Sequence, residues 1–198
     1  ELLATMAASE IERRSVESQL RRRDYILAAV SFCASVLLRD EQLDQVINTV
    51  VDRLGRAAEV SRASVFENSV DHTGNTLCNL RYEWVAEGIT AQIANPLLQN
   101  SDYRKNGFER WLSLLGSHQV IAGPVRNLPA IERVVLSACD IKSTLVVPIF
   151  IDGVWWGFIS FDDCAHEREW SVHEVGALLA AASVIASAIQ RRHGEKRL

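Results

Sequence analysis

The stretch from Ser143 to Asp163, Ser-Thr-Leu-Val-Val-Pro-Ile-Phe-Ile-Asp-Gly-Val-Trp-Trp-Gly-Phe-Ile-Ser-Phe-Asp-Asp, limits what this chain can fold into more than any other. Two runs rich in β-branched and aromatic residues flank Asp152-Gly153, a dipeptide that supplies the positive φ angles of a two-residue hairpin turn. Both runs are apolar at nearly every position, so the hairpin is expected to be central in an antiparallel sheet and covered on both faces. Pairing Ile151 with Val154 and counting outward sets Ile149 opposite Trp156, Val147 opposite Phe158, Leu145 opposite Ser160 and Ser143 opposite Asp162. One face then carries Leu145, Val147, Ile149, Trp156, Phe158, Ser160 and Asp162; the other carries Val146, Phe150, Trp155, Gly157, Ile159 and Phe161. Gly157 leaves room for another backbone or a helix to come close.

The rest of the chain supplies the cover. Residues 1 to 23 hold neither Gly nor Pro and read as a sparsely apolar helix, expected to pair with a second copy. From Asp24, Ile26, Leu27, Val30, Cys33, Ala34, Leu37 and Leu38 form a helical stripe fit to lie on the sheet. Asp40 is placed to cap a second helix that buries Leu43, Val46, Ile47, Val50 and Leu54. Strands are expected over 64 to 70 and 76 to 86, joined by a turn at Asp71 to Asn75, with Leu80, Tyr82 and Trp84 buried and Arg81 and Glu83 wet. A loop over 88 to 101, a helix over 102 to 115, a short third strand over 119 to 122 and a helix after Pro129 with Ile131, Val134, Val135 and Ala138 inward lead back to the hairpin. Ser171-Val-His-Glu174 is a capping box, with Trp170 and Val175 as a hydrophobic staple, opening a long last helix whose opposite side is small: Ala177, Ala180, Ala181, Ser183 and Ala186.

Composition removes several function classes. A length of 198 residues with 48% hydrophobic content suits one domain with helical extensions, and a net charge of -4 argues against general nucleic-acid binding. Apolar runs fall short of the ~20 residues that span a bilayer, and a signal peptide is not apparent, so a soluble, cytoplasmic piece without membrane contact is expected, from a parent that can itself be membrane-anchored. Starting at Glu1 within helical sequence, the chain is expected to be part of something longer. Ala8 to Arg14 and Ala186 to Arg192 agree at five of seven positions, which suggests that residues 1 to 23 are the tail of a preceding domain. Cys33, Cys78, Cys139 and Cys164 are scattered without CxxC spacing and read as reduced thiols.

The segment Asp140 to Asp163 resembles the closing hairpin of GAF domains of bacterial sensor histidine kinases and diguanylate cyclases. Val60-Ser-Arg-Ala-Ser-Val-Phe-Glu67 and Arg81-Tyr-Glu-Trp84 are similar to that group's first two strands. The resemblance implies an α+β fold, GAF-like and PAS-related, with an antiparallel sheet, the terminal helices on one face building a dimer, and shorter helices over a small-molecule pocket on the other. It implies a signalling helix over 1–23, a sensor domain over 24–193 and the start of a linker to an output domain over 194–198. Phe158, Ser160 and Asp162 would then look into the pocket and the face with Gly157 would meet the terminal helices. No bilin is expected, since Asp162 and Asp163 stand where phytochrome-like members carry a histidine pair and no cysteine sits in an attachment motif. The Asn-Lys-Phe-Asp-Glu signature of cyclic-nucleotide-binding members is absent as an intact motif, and a sulfoxide-reductase role needs cysteines that converge.

Candidate pocket residues are Trp84, Trp111, Trp156, Phe158, Ser160 and Asp162, an aromatic wall with polar anchors; an ordinary aromatic core is the competing reading. No catalytic set is apparent, and Asp162, Asp163, Cys164 and His166, although dense, alternate in direction and are not assigned to a metal. The function expected is a sensor module that binds an unidentified small molecule and signals through a homodimer's terminal helices to a kinase or cyclase output. The alternatives are a ligand-free coupling domain and a thiol-based oxidoreductase.

Overall fold

The computed structural model describes residues 2–37 and 43–195; the cap expected at Asp40 lies outside them. A helix α1 (Leu2–Leu37) and a helix α2 (Leu43–Ala57) precede β1 (Arg62–Val70) and β2 (Thr76–Val85). Then come β3 (Ser101–Asp102), α3 (Glu109–Gly116), β4 (Ile121–Pro124), α4 (Ala130–Ala138), β5 (Ser143–Ile151), β6 (Val154–Asp163) and α5 (Val172–Glu195). The strands form one antiparallel sheet in the order β3-β2-β1-β6-β5-β4, so the β5–β6 hairpin lies in its interior. Asp152 and Gly153 take φ of 50° and 77°, as the two-residue turn requires.

Two apolar clusters cover the sheet. On one face α1, α2 and α5 bury Ile26, Cys33, Ile47, Leu54, Leu178 and Ile185 against Val65, Leu145, Val147, Ile159 and Phe161. On the other, α3, α4 and the β2–α3 segment bury Tyr103, Trp111, Leu115, Leu136 and Ile141 against Val146 and Phe158. The alanine side of α5 is shared: Ala177 and Ala181 are buried in the cluster with Ala29 and Cys33 of α1, which packs along α5, while Ala180 and Ser183 stay exposed.

The hairpin register departs from a simple count. The pairing holds at Ile151 with Val154 and Phe150 with Trp155, then shifts, so that Ile149 meets Gly157 and Val146 meets Ser160. Trp156 is the extra residue of a β-bulge, and a one-residue slip exchanges the faces of everything beyond it on the partner strand. Leu145, Val147 and Ile149 therefore join Ile159 and Phe161 under the terminal helices, and Val146 joins Phe158 and Ser160 on the other face. A second bulge, between Val65 and Phe66, pairs Val65 with Tyr82 and Phe66 with Leu80. Arg81 drops out of the ladder, Tyr82 and Trp84 pack on the terminal-helix side, and Glu83, expected to be wet, has a side chain only 2% exposed in an ion pair with Arg62.

Other expectations change for local reasons. The helix expected from 102 starts at Glu109, because the Asp102 carboxylate accepts the amides of Arg104 and Lys105 at 2.9 and 3.2 Å and Gly107 takes a φ of 81°. On α4, Ile131 and Val134 face outward and Glu132 faces inward, where it accepts two bonds from Arg110 at 2.8 Å and one from Trp111 Nε1 at 3.0 Å. Val172–Arg191 is long and apolar enough, by length and composition, to cross a membrane, against the expectation above; its apolar side is spent on the core with β5 and α1. The signalling helix expected over 1–23 and the start of the sensor region share the continuous α1, in which residues 11–18 are exposed and burial begins with Ile26.

Gly157 is where β6 comes closest to β1. A Cβ there would be driven into the Phe66 carbonyl, with the Glu67 Cα at 3.1 Å, and both are backbone that cannot turn aside. Gly153, with a φ of 77° and nothing within 4 Å, is constrained by conformation alone. Gly157→Ala is expected to destabilise by about 3 kcal/mol and Gly153→Ala by about 1 kcal/mol. Urea unfolding checks the order, and equal costs would overturn the close-approach account.

Candidate functional site

Strand alternation puts Arg62, Ser64 and Phe66 of β1 on the sheet face away from α1, α2 and α5. Their β6 partners are Asp162, Ser160 and Phe158. The three cross-strand pairs grade from charged through hydroxyl to aromatic, and β5 extends the rows with Thr144 opposite Asp162, Val146 opposite Ser160 and Pro148 opposite Phe158. Above this floor, α3, α4 and the segment 92–108 enclose a cavity of about 580 Å³. Leu80, Tyr103, Phe108, Trp111, Leu136 and Ile141 supply its apolar wall; Gln92, Asn95, Gln99 and Asn100 line the rim.

The aromatic end is locked by its own contacts. Phe66 stacks on Phe158 with centroids 4.6 Å apart, Trp111 meets Phe158 edge-on at 5.8 Å, and Phe108 meets Trp111 edge-on at 4.8 Å. Tyr103 donates to Asn68 at 2.7 Å and lies 5.6 Å from Trp155. Glu132, 1% exposed, ties α4 to α3 through Arg110 and Trp111, so the helices that roof the cavity are held to each other by a charge-assisted clamp.

The polar end holds two carboxylates and one guanidinium. Arg62 donates to the Thr90 carbonyl at 3.0 Å, and its Nε lies 3.3 Å from Glu83 without making a hydrogen bond. Glu83 in turn accepts the amides of Gln92 and Ile93 at 2.8 to 3.0 Å, which fixes the rim segment to β2. Asp162, 4% exposed, is bonded only to hydroxyls, Thr144 at 2.6 Å and Ser160 at 3.3 Å. Burial pushes its carboxyl up from 3.8 to about 6, against the Thr144 bond, the Arg62 charge and the Ser160 bond, with Glu83 adding to the rise.

Four of the six candidate residues, Trp111, Phe158, Ser160 and Asp162, line the cavity. Trp84 and Trp156 do not: both pack with the terminal-helix cluster. Trp84 sits over Gly55 of α2, where a side chain would overlap its ring, and Trp156 is turned over by the bulge beside it. Arg62, Ser64, Phe66, Tyr103 and Thr144 also line the cavity. The alternation Arg62, Ser64, Phe66 was the available signal for three of them; Tyr103 sits in a turn that sequence periodicity cannot orient.

Burial raises all four thiols, Cys33 and Cys78 to about 11 and Cys139 and Cys164 above their ordinary 9.0, so the reactive thiolate is scarce at neutral pH. Asp163 caps its own loop, accepting the amides of Ala165 and His166 at 2.9 and 2.8 Å, and among the described residues three or more His, Cys, Asp or Glu side chains do not gather to hold a metal.

One polar cluster joins the end of β6 to the terminal helices. In the segment after Asp163, Arg168 donates to the Ala58 carbonyl at 3.1 Å and to Glu174 at 2.7 Å, and its guanidinium lies 4.0 Å over Trp170. Glu174, 1% exposed, closes the capping box on the Ser171 amide and hydroxyl at 2.9 and 2.7 Å and also accepts Arg22 of α1 at 3.2 Å. Arg22 reaches on to Glu59 at 2.7 Å.

Asp162 makes stability depend on pH. Its folded-state affinity for a proton exceeds the unfolded one, so its contribution is full below pH 4 and is lost as the pH rises through about 6. Arg62 and Glu83 face it, and the thiols of Cys139 and Cys164, raised by burial above their ordinary value, titrate well above this window. Between pH 4 and pH 7 the protein is expected to lose on the order of 2–3 kcal/mol relative to Asp162→Asn. Parallel urea-unfolding profiles for the two proteins would contradict this.

The GAF domain family model matches residues 42–189. The methanogenesis regulatory histidine kinase FilI of Methanothrix harundinacea (strain 6Ac) is 39% identical over 184 residues, 92% of this chain and 20% of that protein, so the chain spans a fifth of the relative's length. The phycocyanobilin-bound GAF domain of a cyanobacterial phytochrome superposes with a TM-score of 0.67 at 17% identity, over 87% of this chain and 96% of that one. The blue-light absorbing form of the Thermosynechococcus elongatus PixJ GAF domain gives 0.61 at 20% identity, over 78% and 89%. At such identities these two structures establish the fold alone. With its sheet order, its two-sided helical cover and most of its length inside the family model, the chain belongs to the GAF domain family.

Proposed function

We propose that this chain is the cytoplasmic sensory module of a histidine kinase, binding a small molecule in the cavity over the β1–β6 floor and signalling through α1 and α5. The observation that carries this reading is the cavity itself: about 580 Å³, apolar and aromatic at one end, with a few convergent polar groups at the other. The 39% identity to a histidine kinase supports the output assignment. A ligand acts by binding two arrangements of the domain with different affinity. Asp162 is followed directly by the segment that carries Arg168, and Arg168 shares Glu174 with Arg22, so a shift at the cavity's polar end has a bonded route to α1. Met6, Ile11, Val16 and Leu20 of α1 are exposed apolar side chains, which supports pairing with a second copy of the chain.

Native mass spectrometry of protein freshly purified from its host tests the sensor reading. The expected result is an added mass that disappears on denaturation and is lost in Trp111→Leu. In Glu174→Gln, which keeps a capping side chain but loses the charge that holds Arg22 and Arg168, the added mass is expected to remain while hydrogen exchange over residues 18 to 30 of α1 quickens. Bare mass, together with no thermal shift from a metabolite extract of the host, would overturn ligand sensing in favour of ligand-free coupling.

A further inference from the structure

The cavity carries a statement about its occupant's charge that the fold does not. Resting on the sensor reading above, we infer that the ligand is an organic monocation: an ammonium head seated at Asp162 and an elongated apolar body lying toward Phe66 and Phe158.

The argument starts from charge. Among the described residues that line the cavity, Arg62 is the one cation and Asp162 the one carboxylate. Arg62, however, is already committed to the Thr90 carbonyl and to Glu83 behind it, and Glu83 is held in place by rim amides. The polar end thus contains one guanidinium against two carboxylates, and of the two only Glu83 is within ion-pair distance of it; the partners of Asp162 are the hydroxyls of Thr144 and Ser160. An ionised carboxylate has about four acceptor positions, and two neutral donors leave part of them open. Burying a charge without a counter-charge is costly, and an ammonium supplies both the charge and the missing N–H donors. A ligand carboxylate would do the reverse, placing a third negative group against one guanidinium.

Length comes from the floor. The pairs Arg62–Asp162, Ser64–Ser160 and Phe66–Phe158 are successive steps on one face, each about 7 Å apart. The Phe66–Phe158 pair is two such steps, about 14 Å, from Arg62–Asp162, so a body extending about 10 Å beyond an ammonium hydrogen-bonded to Asp162 lies across the hydroxyl row and points at the Phe66–Phe158 stack under Trp111. The aromatic wall suits an apolar chain or ring, and the hydroxyl of Ser160 can accept a second N–H.

Three probes of one shape and different heads test this: 4-phenylbutylamine, 4-phenylbutanol and 4-phenylbutyrate, titrated into the intact chain at pH 7.5 by calorimetry. The amine is expected to bind at least tenfold tighter than the carboxylate, with the alcohol between. In Asp162→Asn the amine should lose its advantage over the alcohol. A carboxylate that binds as tightly as the amine, or an amine preference that survives Asp162→Asn, overturns the inference and leaves the sensor reading intact. If none of the three binds the wild-type protein, the charge assignment and the ligand-sensing cavity fall together. The ranking of heads on the wild-type protein needs no variant, so it decides even if Asp162→Asn does not fold.

Discussion

The bulge at Trp156 is the constraint on which this molecule depends. One residue more on β6 than on β5 sends Leu145, Val147 and Ile149 to the terminal helices together with Ile159 and Phe161. The same extra residue leaves Phe158, Ser160 and Asp162 on the opposite face with Val146 and Thr144. Without it, half of the hairpin's apolar residues would meet the wrong layer. Gly157, next to the bulge, lets β1 press against β6 so closely that the Phe66 carbonyl occupies the space of a side chain. That approach is what aligns Arg62, Ser64 and Phe66 with their three partners and turns two strands into a graded floor.

Two kinds of buried charge then do different jobs. Glu132 and Glu174 are fully partnered: one binds α3 to α4, the other binds α5, the segment after β6 and α1 at a single point. Such groups hold layers in register, and each would be expensive to break because it would strand a cation or an indole N–H in the interior. Asp162 has only hydroxyl partners, and its raised proton affinity records that shortfall. Rigid clamps surround a group whose charge state is open to influence, an arrangement in which a small perturbation at the cavity meets little slack on its way outward.

Much of this was legible in the residues. The hairpin turn, the capping box at Ser171 and Glu174 and the stripe of α2 follow from local chemistry and periodicity; strand alternation puts Phe158, Ser160 and Asp162 on one face, and the GAF resemblance implies that this face looks away from the terminal helices. What failed did so where an extra residue breaks the alternation: the bulges at Arg81 and Trp156 put Trp84 and Trp156 on the terminal-helix side and left Glu83 buried beside Arg62. A period of two cannot reveal where it is interrupted. On α4 the apolar pattern pointed to Ile131 and Val134, but the Arg110–Glu132 pair determines which way the helix faces, and long-range ion pairs leave no periodic trace.

The sheet's two flanks deserve a last consequence. One is the two-residue β3; the other is the four-residue β4, which ends in Pro124, a residue with no amide hydrogen to offer. Both are short edges that offer a foreign strand few residues to pair with, although β3 covers only Leu77 and Cys78 of β2 and β4 only Ser143 to Val146 of β5. Among similar domains held at high local concentration along one polypeptide, short outermost strands of this kind lessen cross-pairing between sheets.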